Sequence, residues 1–498
     1  MKIQKYVLEM TVFLCGAIVM IFELVGSRML GPYFGTSIFV WTSLIGIILG
    51  GLSLGYHLGG KIADKRATLK GLSRIIFLSA VLIGITLLIK NPLIVELQTV
   101  FFSGKTGLIL SSLLLFLPVS ISLGIVSPYA AKIKLKSLDN SGLTVGNLYA
   151  ISTTGSIAGT FLSGFYLIPK FGTDKLLVIL TVALTLNSFI LSGKDILKEK
   201  LLALLLVLAG LFAVGGFGSL SEKESGLIDV DTNYNRVWIY DYRDPKSGRM
   251  VRTMLINKGD QSSMFLDGDD LANEYTKYYN LADHFNPFFK KTLMIGGAGY
   301  SYPKDFLSKY SDATIDVVEI DPQVTDLAKK YFKLKEDPRL KIYHEDGRLF
   351  MNDTQEKYDV IFGDAFGSGN SVPYQLTTKE AIQKKYEVLN PEGVVIVNIV
   401  ASLEGEKGKF LRAEYATFKS VFPQVYLFPV NDPKNKNLVQ NIMLVALKSE
   451  KKYDFNSENP ELDVFLKNLW EGEIADDIPI LTDDYAPVEY YTGKLEIF

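Results

Sequence analysis

The sequence is poor in the residues that build disulfides and metal sites. Its 498 residues include one cysteine, Cys15, and three histidines, His57, His284 and His344. A single cysteine excludes an internal disulfide framework and a zinc–thiolate centre. Because the histidines are far apart in the sequence, we expect no histidine-based metal site either. The sequence therefore predicts no bound metal.

An excess of either charge is also lacking. The chain has 52 basic and 54 acidic residues, and its formal net charge is -2. Such a balance gives no electrostatic support for binding to nucleic acid. We therefore predict small molecules and membrane lipids as partners and no nucleic acid, and a homo-oligomer is compatible with the composition.

Long apolar runs are abundant, and they all lie in the first part of the chain. Apolar runs of about 18–25 residues can cross a bilayer as helices. We predict about seven spans, an all-α membrane domain over residues 1–218, at 7–30, 38–60, 72–90, 107–130, 146–168, 175–192 and 201–218. The first run continues past the length of a signal peptide without a cleavage site, so we expect a retained span.

Basic residues in the loops conflict with an odd number of spans. They cluster at the N-terminus and after the second, fourth and sixth spans, which the positive-inside rule places in the cytoplasm. Seven spans would leave the rest of the chain outside, so either one span is miscounted or the C-terminal domain faces out. We favour a multi-pass cell-membrane protein with a cytoplasmic C-terminal domain, and Leu93–Phe102 is a candidate extra half-span or re-entrant segment.

Charged and small residues inside the spans have two interpretations each. Glu23 and Arg28 lie in the first span or at its end, where charges usually pair, reach the interface or serve a function. Glycines four residues apart in the second and fifth spans allow close helix packing. The alternative is that these faces line a ligand path.

The second part of the chain has the pattern of an α/β fold. Residues 219–290 begin with strand-like runs, YNRVWIYDY and RMVRTMLIN, and end in a helical stretch, which predicts a small antiparallel β unit. From residue 291 to 498, short apolar runs alternate with helical segments. This alternation predicts a Rossmann-like, doubly wound parallel sheet with its ligand at the carboxyl ends of the strands.

Glycines and acids follow four successive strands of that sheet. The first strand leads into Gly296-Gly297-Ala298-Gly299, and the second ends in Glu319 and Asp321. The third and fourth end in Glu345-Asp346-Gly347 and in Asp364. An acid about 20 residues after a glycine loop is typical of a ribose-binding position. Each acid alone could equally be a helix N-cap.

These motifs together resemble the spermidine synthases, the polyamine aminopropyltransferases. The resemblance rests on GGAGYSYP, VEID, DPRL, HEDGRLF and YDVIFGDAF followed by VPYQLTTKE, and covers about residues 226–450. The first half resembles the multi-span segment of membrane-fused spermidine-synthase-like proteins through ELVGSRMLGPYFGTS and VGNLYAISTTGSIAGT. The resemblance implies an S-adenosylmethionine-dependent transferase fold.

The resemblance also implies roles for individual residues. Asp364 would be the catalytic base that accepts a proton from the attacking amine. Glu319 would bind the ribose hydroxyls, and Asp346 would contact the adenine amino group. The remaining implied contacts to the nucleoside co-substrate are Gly296, Gly297, Gly299, Gly347, Gln261 and Tyr278. That co-substrate is decarboxylated S-adenosylmethionine or S-adenosylmethionine itself, and no cofactor is expected to be bound permanently.

The departures from the family concern the amine-binding acids. Gly299 stands where family members usually have an acid, and so does Gly367, three residues after Asp364. Tyr279-Asn280 replaces a His-Glu pair. Carboxylates replace the lost hydration of a cationic amine. The nucleoside half of the site is therefore retained, whereas an ordinary putrescine site is in doubt.

Three functions remain open on this evidence. The first is an aminopropyltransferase with an unusual amine or lipophilic acceptor, in which Asp483, Asp484 or Glu489 replaces the lost acids. The second is a methyltransferase or other enzyme that uses intact S-adenosylmethionine. The third is a transporter or sensor whose C-terminal domain binds a nucleoside or polyamine without turnover.

Overall fold

The chain forms two compact units, Met1–Ser225 and Gly226–Phe498. A computed structural model describes residues 6–35, 37–100, 104–135, 141–192, 226–257, 259–365 and 372–492. The predicted domain boundary at residue 218 and the predicted span 201–218 lie outside the described residues.

Long apolar helices make up the described part of the first unit. They are α1 (Val7–Phe34), α2 (Ile38–Arg66), α3 (Leu69–Val100), α4 (Gly104–Gly124), α5 (Val126–Lys134), α6 (Ser141–Leu162), a π-helix (Ser163–Leu167) and α7 (Ile168–Ser192). In the described residues, five helical runs are long and apolar enough to cross a membrane. This finding fits a membrane-associated region with fewer runs than the predicted seven spans.

The difference in number has a local cause. The fifth run, Ser141–Ser192, contains two predicted spans, because Gly172 breaks it with a φ of 69° and a ψ of 179°. The two sides of the break run in opposite directions relative to α1, since α6 is parallel to it whereas Asn187 near the end of α7 accepts a hydrogen bond from Thr11 near the start of α1. Six predicted spans therefore lie in described helices. The predicted half-span at Leu93 is wrong, because α3 continues through Pro92 to Val100.

Glycines bring the helices into contact on one face of α2 only. A Cβ atom on Gly55 would lie 2.4 Å from the Ile121 carbonyl oxygen, and one on Gly59 would lie 2.8 Å from that of Ile125. By contrast, a Cβ on Gly46 or Gly50 would meet nothing within 4 Å. The packing interpretation therefore holds for one set of glycines and not for the other.

The second unit contains a small sheet and a large one. The small antiparallel sheet has the order β1-β2-β3-β4, with β1 at Ile228–Asp231, β2 at Arg236–Arg243, β3 at Met250–Ile256 and β4 at Gly259–Phe265. The large sheet has seven strands, β5 (Lys291–Ile295), β6 (Thr314–Val318), β7 (Leu340–Tyr343), β8 (Tyr358–Gly363), β9 (Leu389–Ala401), β10 (Gln424–Pro429) and β11 (Gln440–Leu447).

The large sheet is mixed, whereas the sequence predicted a parallel one. Its order is β10-β11-β9-β8-β5-β6-β7. Strands β5 to β9 pair in parallel, but β11 is antiparallel to both β9 and β10. A ten-residue connection from Val430 to Val439 joins β10 to β11 without a helix, which suffices for an antiparallel pair but not for a parallel crossover.

Helices cover both faces of the large sheet. They are α8 (Glu274–Lys277), α9 (Leu281–Phe285), α10 (Ser301–Lys309), α11 (Pro322–Tyr331), α12 (Gly347–Asp353), α13 (Lys379–Val388), α14 (Lys409–Lys419), α15 (Pro460–Leu466) and α16 (Val488–Thr492). A 3-10 turn, Tyr278–Asn280, joins α8 to α9. The sheet carries a separate buried cluster on each face, as expected for a doubly wound fold.

We predict that Gly55→Ala lowers the thermal stability of the purified protein in detergent. The added methyl group would overlap the Ile121 carbonyl, and overpacking of this kind costs about 1–3 kcal/mol. The matched control is Gly50→Ala, which adds the same methyl group one turn away in open space. Equal melting temperatures for the two variants would contradict the helix contact described above.

Candidate active site

The ends of β5, β6 and β8 lie at one edge of the large sheet. Backbone hydrogen bonds continue the parallel pairing beyond the strands: Gly296 N–H donates to Val318 O and Asp364 N–H donates to Ile295 O, both at 2.9 Å. The Glu319 N–H donates to Tyr343 O of β7 at the same distance. The sheet therefore brings the glycine loop, Glu319 and Asp364 to one rim, as the sequence predicted for the ends of parallel strands.

The glycine loop requires its small residues for two reasons. Gly296 has a φ of +98°, and a Cβ atom on it would lie 2.5 Å from the backbone oxygen of Asp364. A Cβ on Gly299 would lie 2.6 Å from Ser262 Oγ and 2.9 Å from a ring carbon of Phe332. Strand β4 therefore occupies the space that an acidic side chain at position 299 would need.

Glu319 holds the glycine loop in place. Its Oε2 accepts hydrogen bonds from the N–H groups of Gly297 (2.9 Å) and Ala298 (3.2 Å), and its Oε1 accepts from Asp321 N–H at 3.0 Å. Burial raises the pKa of Glu319, and these three N–H groups act in the opposite direction. The N–H groups of Gly297 and Ala298 are thus already paired with a carboxylate and are not open to an anion.

Asp346 and Gly347 begin helix α12. Asp346 Oδ1 accepts from the N–H groups of Arg348 (2.7 Å) and Leu349 (3.2 Å), so Asp346 is an N-cap. Its Oδ2 accepts from Gln375 Nε2 at 3.2 Å. A Cβ on Gly347 would approach the Ile295 side chain to 2.8 Å, which places the helix start against β5.

A second layer of polar contacts connects this region to the C-terminal segment. Arg348 donates to Gln375 O (3.3 Å) and forms an ion pair with Asp483 (3.0 Å). Asp483 also accepts a 2.6 Å hydrogen bond from the Thr378 hydroxyl. Asp483, which the sequence offered as a replacement amine ligand, is therefore engaged beside Gln375 instead.

Asp364 is surrounded by uncharged hydrogen-bond donors. Its Oδ2 accepts from the Tyr275 hydroxyl at 3.1 Å, and its Oδ1 accepts from Asn398 Nδ2 at 3.3 Å. Asn441 Nδ2 in turn donates to Asn398 Oδ1 at 2.9 Å. Burial raises the pKa of Asp364 to about 6, and hydrogen bonds from Asn398, Tyr275 and Tyr279 partly oppose that rise.

The three tyrosines before α9 have different surroundings. Tyr275 contacts Asp364, whereas Tyr278, the pocket residue implied by the resemblance, accepts from Asn468 at 2.7 Å and packs in a tilted arrangement against Phe465. Gln261 belongs to β4, but its side chain lies outside the described part of the structure.

Tyr279, which takes the place of the histidine in the family's His-Glu pair, lies among aromatic rings and backbone groups. Tyr279 is fully buried, its ring packs on Tyr302 and Phe362, and its hydroxyl donates to Gly363 O at 3.2 Å. Gly367 lies outside the described residues. In the described part of the chain, no group of three or more His, Cys, Asp or Glu residues could hold a metal ion.

Sequence reasoning missed Tyr275, Asn398 and the Arg348–Gln375 contact. One signal for Asn398 was available, because it is the single polar residue in the buried run VVIVNIVA of β9. A buried amide needs a partner. Tyr275 offered no comparable signal, since only the folded structure shows which helical face meets Asp364.

Comparisons with known proteins agree with this architecture. Residues 277–457 match the family model for the spermine/spermidine synthase domain. The chain is 25% identical to the polyamine aminopropyltransferase of Vibrio vulnificus over 260 residues, which are 50% of this chain and 80% of the relative. It is 30% identical to that of Streptococcus pneumoniae over 179 residues, 34% of this chain and 60% of the relative.

A solved structure is similar as well. It is the crystal structure of a probable spermidine synthase from Corynebacterium glutamicum, with a TM-score of 0.41 and 21% identity. The similarity covers 53% of this chain and 93% of that chain.

We predict that Asp483→Asn weakens nucleoside binding about 3- to 10-fold. Loss of the charge would loosen Arg348 and Gln375 beside Asp346, and a hydrogen bond to a charged group is worth about 1 kcal/mol or more. The measurement is calorimetric binding of S-adenosylmethionine and its decarboxylated form. Glu404→Gln, which breaks the exposed Lys436–Glu404 pair instead, is the control and should leave affinity unchanged. Unchanged affinity in both variants would contradict a positioning role for Asp483.

Proposed function

We propose that the second unit, whose residues 277–457 match the family model for the spermine/spermidine synthase domain, transfers an aminopropyl group from decarboxylated S-adenosylmethionine to an amine. The family match and the named relatives support a transferase. The proposed roles are Asp364 as general base, Glu319 as ribose ligand and Asp346 as adenine contact. The first unit would anchor the enzyme in the cell membrane, with the transferase in the cytoplasm.

The carboxylate-lined rim is the observation that carries this proposal. Glu319, Asp346 and Asp364 follow three strands that are neighbours of β5 or of β6. The glycine loop gives its N–H groups at Gly297 and Ala298 to Glu319, so it is not available to cradle a phosphate. Such a rim suits a cationic sulfonium nucleoside, whose ribose hydroxyls can donate to a carboxylate, better than a phosphorylated cofactor.

The chemistry needs one proton acceptor. An alkyl ammonium, with an ordinary pKa near that of lysine at about 10.4, must lose a proton before its nitrogen can attack. The nitrogen then forms a bond to the aminopropyl carbon, the carbon–sulfur bond breaks, and sulfur keeps the electron pair as a neutral thioether. Asp364 takes the proton from the amine, which is the role of a general base.

The acceptor is expected to differ from an ordinary diamine. The segment from Ala365 to Pro373 contains no acidic residue, and Tyr275, Tyr279 and Asn398 near Asp364 are uncharged. A second ammonium would therefore find no carboxylate from these residues to replace its hydration. We propose an amine with one reacting cationic centre, or a lipophilic amine reached from the membrane.

We predict that decarboxylated S-adenosylmethionine binds the purified full-length protein more tightly than the intact form. The measurement is calorimetry with both ligands side by side. Asp364→Asn should keep this binding while product formation falls about 10²- to 10⁴-fold, the usual contribution of a general base. Tighter binding of the intact form would overturn aminopropyl transfer and favour a methyltransferase. Binding of neither ligand would overturn both enzymatic proposals.

We predict that Tyr275→Phe moves the acid limb of the kcat/KM profile to higher pH. A base works when deprotonated, so wild-type activity should rise with pH through about 6, the pKa of Asp364. The Tyr275 hydrogen bond lowers that pKa, and its loss should therefore raise it. Tyr278→Phe is the matched control, because its hydroxyl contacts Asn468 instead. An unmoved limb in Tyr275→Phe would show that Asp364 does not set the profile.

A further inference from the structure

Two acids in the described apolar helices have no ion-pair partner, Glu23 and Glu96, and only Glu23 lies away from a helix end. Three acids in these helices form ion pairs with lysines. The pairs are Glu9–Lys134 at 2.6 Å, Asp64–Lys132 at 2.8 Å and Asp174–Lys90 at 2.9 Å. In the described residues, the Glu23 carboxylate has neither an ion-pair nor a hydrogen-bond partner, and Arg28 does not pair with it. The expected structural pairing of Glu23 is therefore absent there.

Glu23 lies deep in its helix. It is near the middle of α1, Val7–Phe34, whose ends are the parts that can reach a membrane interface. A carboxylate at such a depth is unfavourable unless it is protonated or neutralised by a cation. The side chain is half-buried, so it lies neither in a sealed core nor at a helix end.

The neighbouring helix is irregular at the same depth. Helices α1 and α6 run in parallel, since Gly155 faces the Phe13 carbonyl and Gly159 faces that of Ala17. Conversely, Gly16 faces the Ser152 carbonyl, so the two sets of contacts bracket the register. Continued along both helices, it brings Glu23 level with residues 159–165, where the π-helix Ser163–Leu167 begins. A π-helical turn within an α-helix is uncommon and is frequently found at functional sites.

A hydroxyl group of that π-helix also lacks a partner. Ser163 is fully buried, and its Oγ makes no hydrogen bond. The same register places Ser163 level with residues 21–27, a range that includes Glu23. An unpaired carboxylate, an unpaired hydroxyl and a change of helix type therefore coincide at one level of the first unit.

We propose that Glu23 and the π-helix Ser163–Leu167 form a binding site for a protonated amine that crosses the membrane unit. An ammonium group carries one positive charge and three hydrogen-bond donors. Glu23 supplies the opposite charge and two acceptor oxygens, and Ser163 supplies a further acceptor. A proton would need only one of these acceptor groups. The combination of a carboxylate and a hydroxyl therefore favours an amine over a proton. The choice of amine as ligand class rests on the proposed function, but the site does not use Asp364.

The test is uptake of radiolabelled phenethylamine, a lipophilic amine with one cationic centre, and of putrescine and spermidine by proteoliposomes that contain the full-length protein. We expect uptake by the wild type, at least a 10-fold loss in Glu23→Gln, and a smaller loss in Ser163→Ala. Glu96→Gln is the matched control, because it makes the same carboxylate-to-amide change at an exposed position near the end of α3. Uptake in Glu96→Gln should equal that of the wild type.

Two further measurements make the outcomes decisive. Asp364→Asn should retain uptake, which separates failure of this proposal from failure of the proposed transferase. Thermal melting in detergent shows whether Glu23→Gln is folded, as expected for the loss of an unfavourable charge. No amine uptake by the wild type, or undiminished uptake in Glu23→Gln, would overturn the proposal. Proton flux that needs Glu23 without any amine flux would assign the carboxylate to protons and also overturn it.

Discussion

The carboxylate of Glu319 is the interaction on which the candidate site depends. It accepts hydrogen bonds from Gly297 and Ala298 of one loop and from Asp321 of another, so it joins the ends of β5 and β6. Each of these N–H groups would otherwise remain unsatisfied near the sheet edge, at a considerable cost. Gly296 lies against the backbone of Asp364. Hydrogen bonds that fix the glycine loop therefore also restrict the backbone position of the proposed base.

Opposing effects set the properties of Asp364. Burial disfavours its charge, whereas Tyr275 and Asn398 donate hydrogen bonds that favour it. The result is a carboxyl group with a pKa of about 6, ionised at neutral pH yet more basic than an exposed aspartate. No cation pairs with Asp364 in the described residues. The carboxylate can therefore interact with a cationic ligand without first breaking an internal salt bridge.

Sequence reasoning was most successful where one residue pattern has one structural outcome. The small antiparallel sheet and the order of strands and acids from Thr292 to Asp364 were both predicted. Alternation, glycine and strand-end acids are local signals. The N-cap alternative was also right for Asp321 and Asp346, which cap α11 and α12 while lying on the rim. Capping and a place at the site are therefore compatible roles.

Predictions that depended on distant contacts were less successful. The sequence correctly placed a break between the spans 146–168 and 175–192, where Gly172 interrupts the helix. It did not show that α3 continues past Pro92, so Leu93–Phe102 was considered as a separate segment. Likewise, composition does not show strand direction, and β11 runs against its neighbours. Tyr278 matched a motif by position, but helix phase and packing placed Tyr275 on Asp364.

The sequence by itself determined the two-part organisation, the apolar helices, the Rossmann-like rim and its acids, because these follow from periodicity and local composition. Only the tertiary structure decided which neutral groups surround Asp364, that Asp483 belongs with Arg348, and that Glu23 has no partner in the described residues. The contacts involved join residues that are tens to hundreds of positions apart in the sequence. The physical reason is that hydrogen-bond and ion-pair partners are chosen by packing of whole elements, which a single strand or helix does not encode.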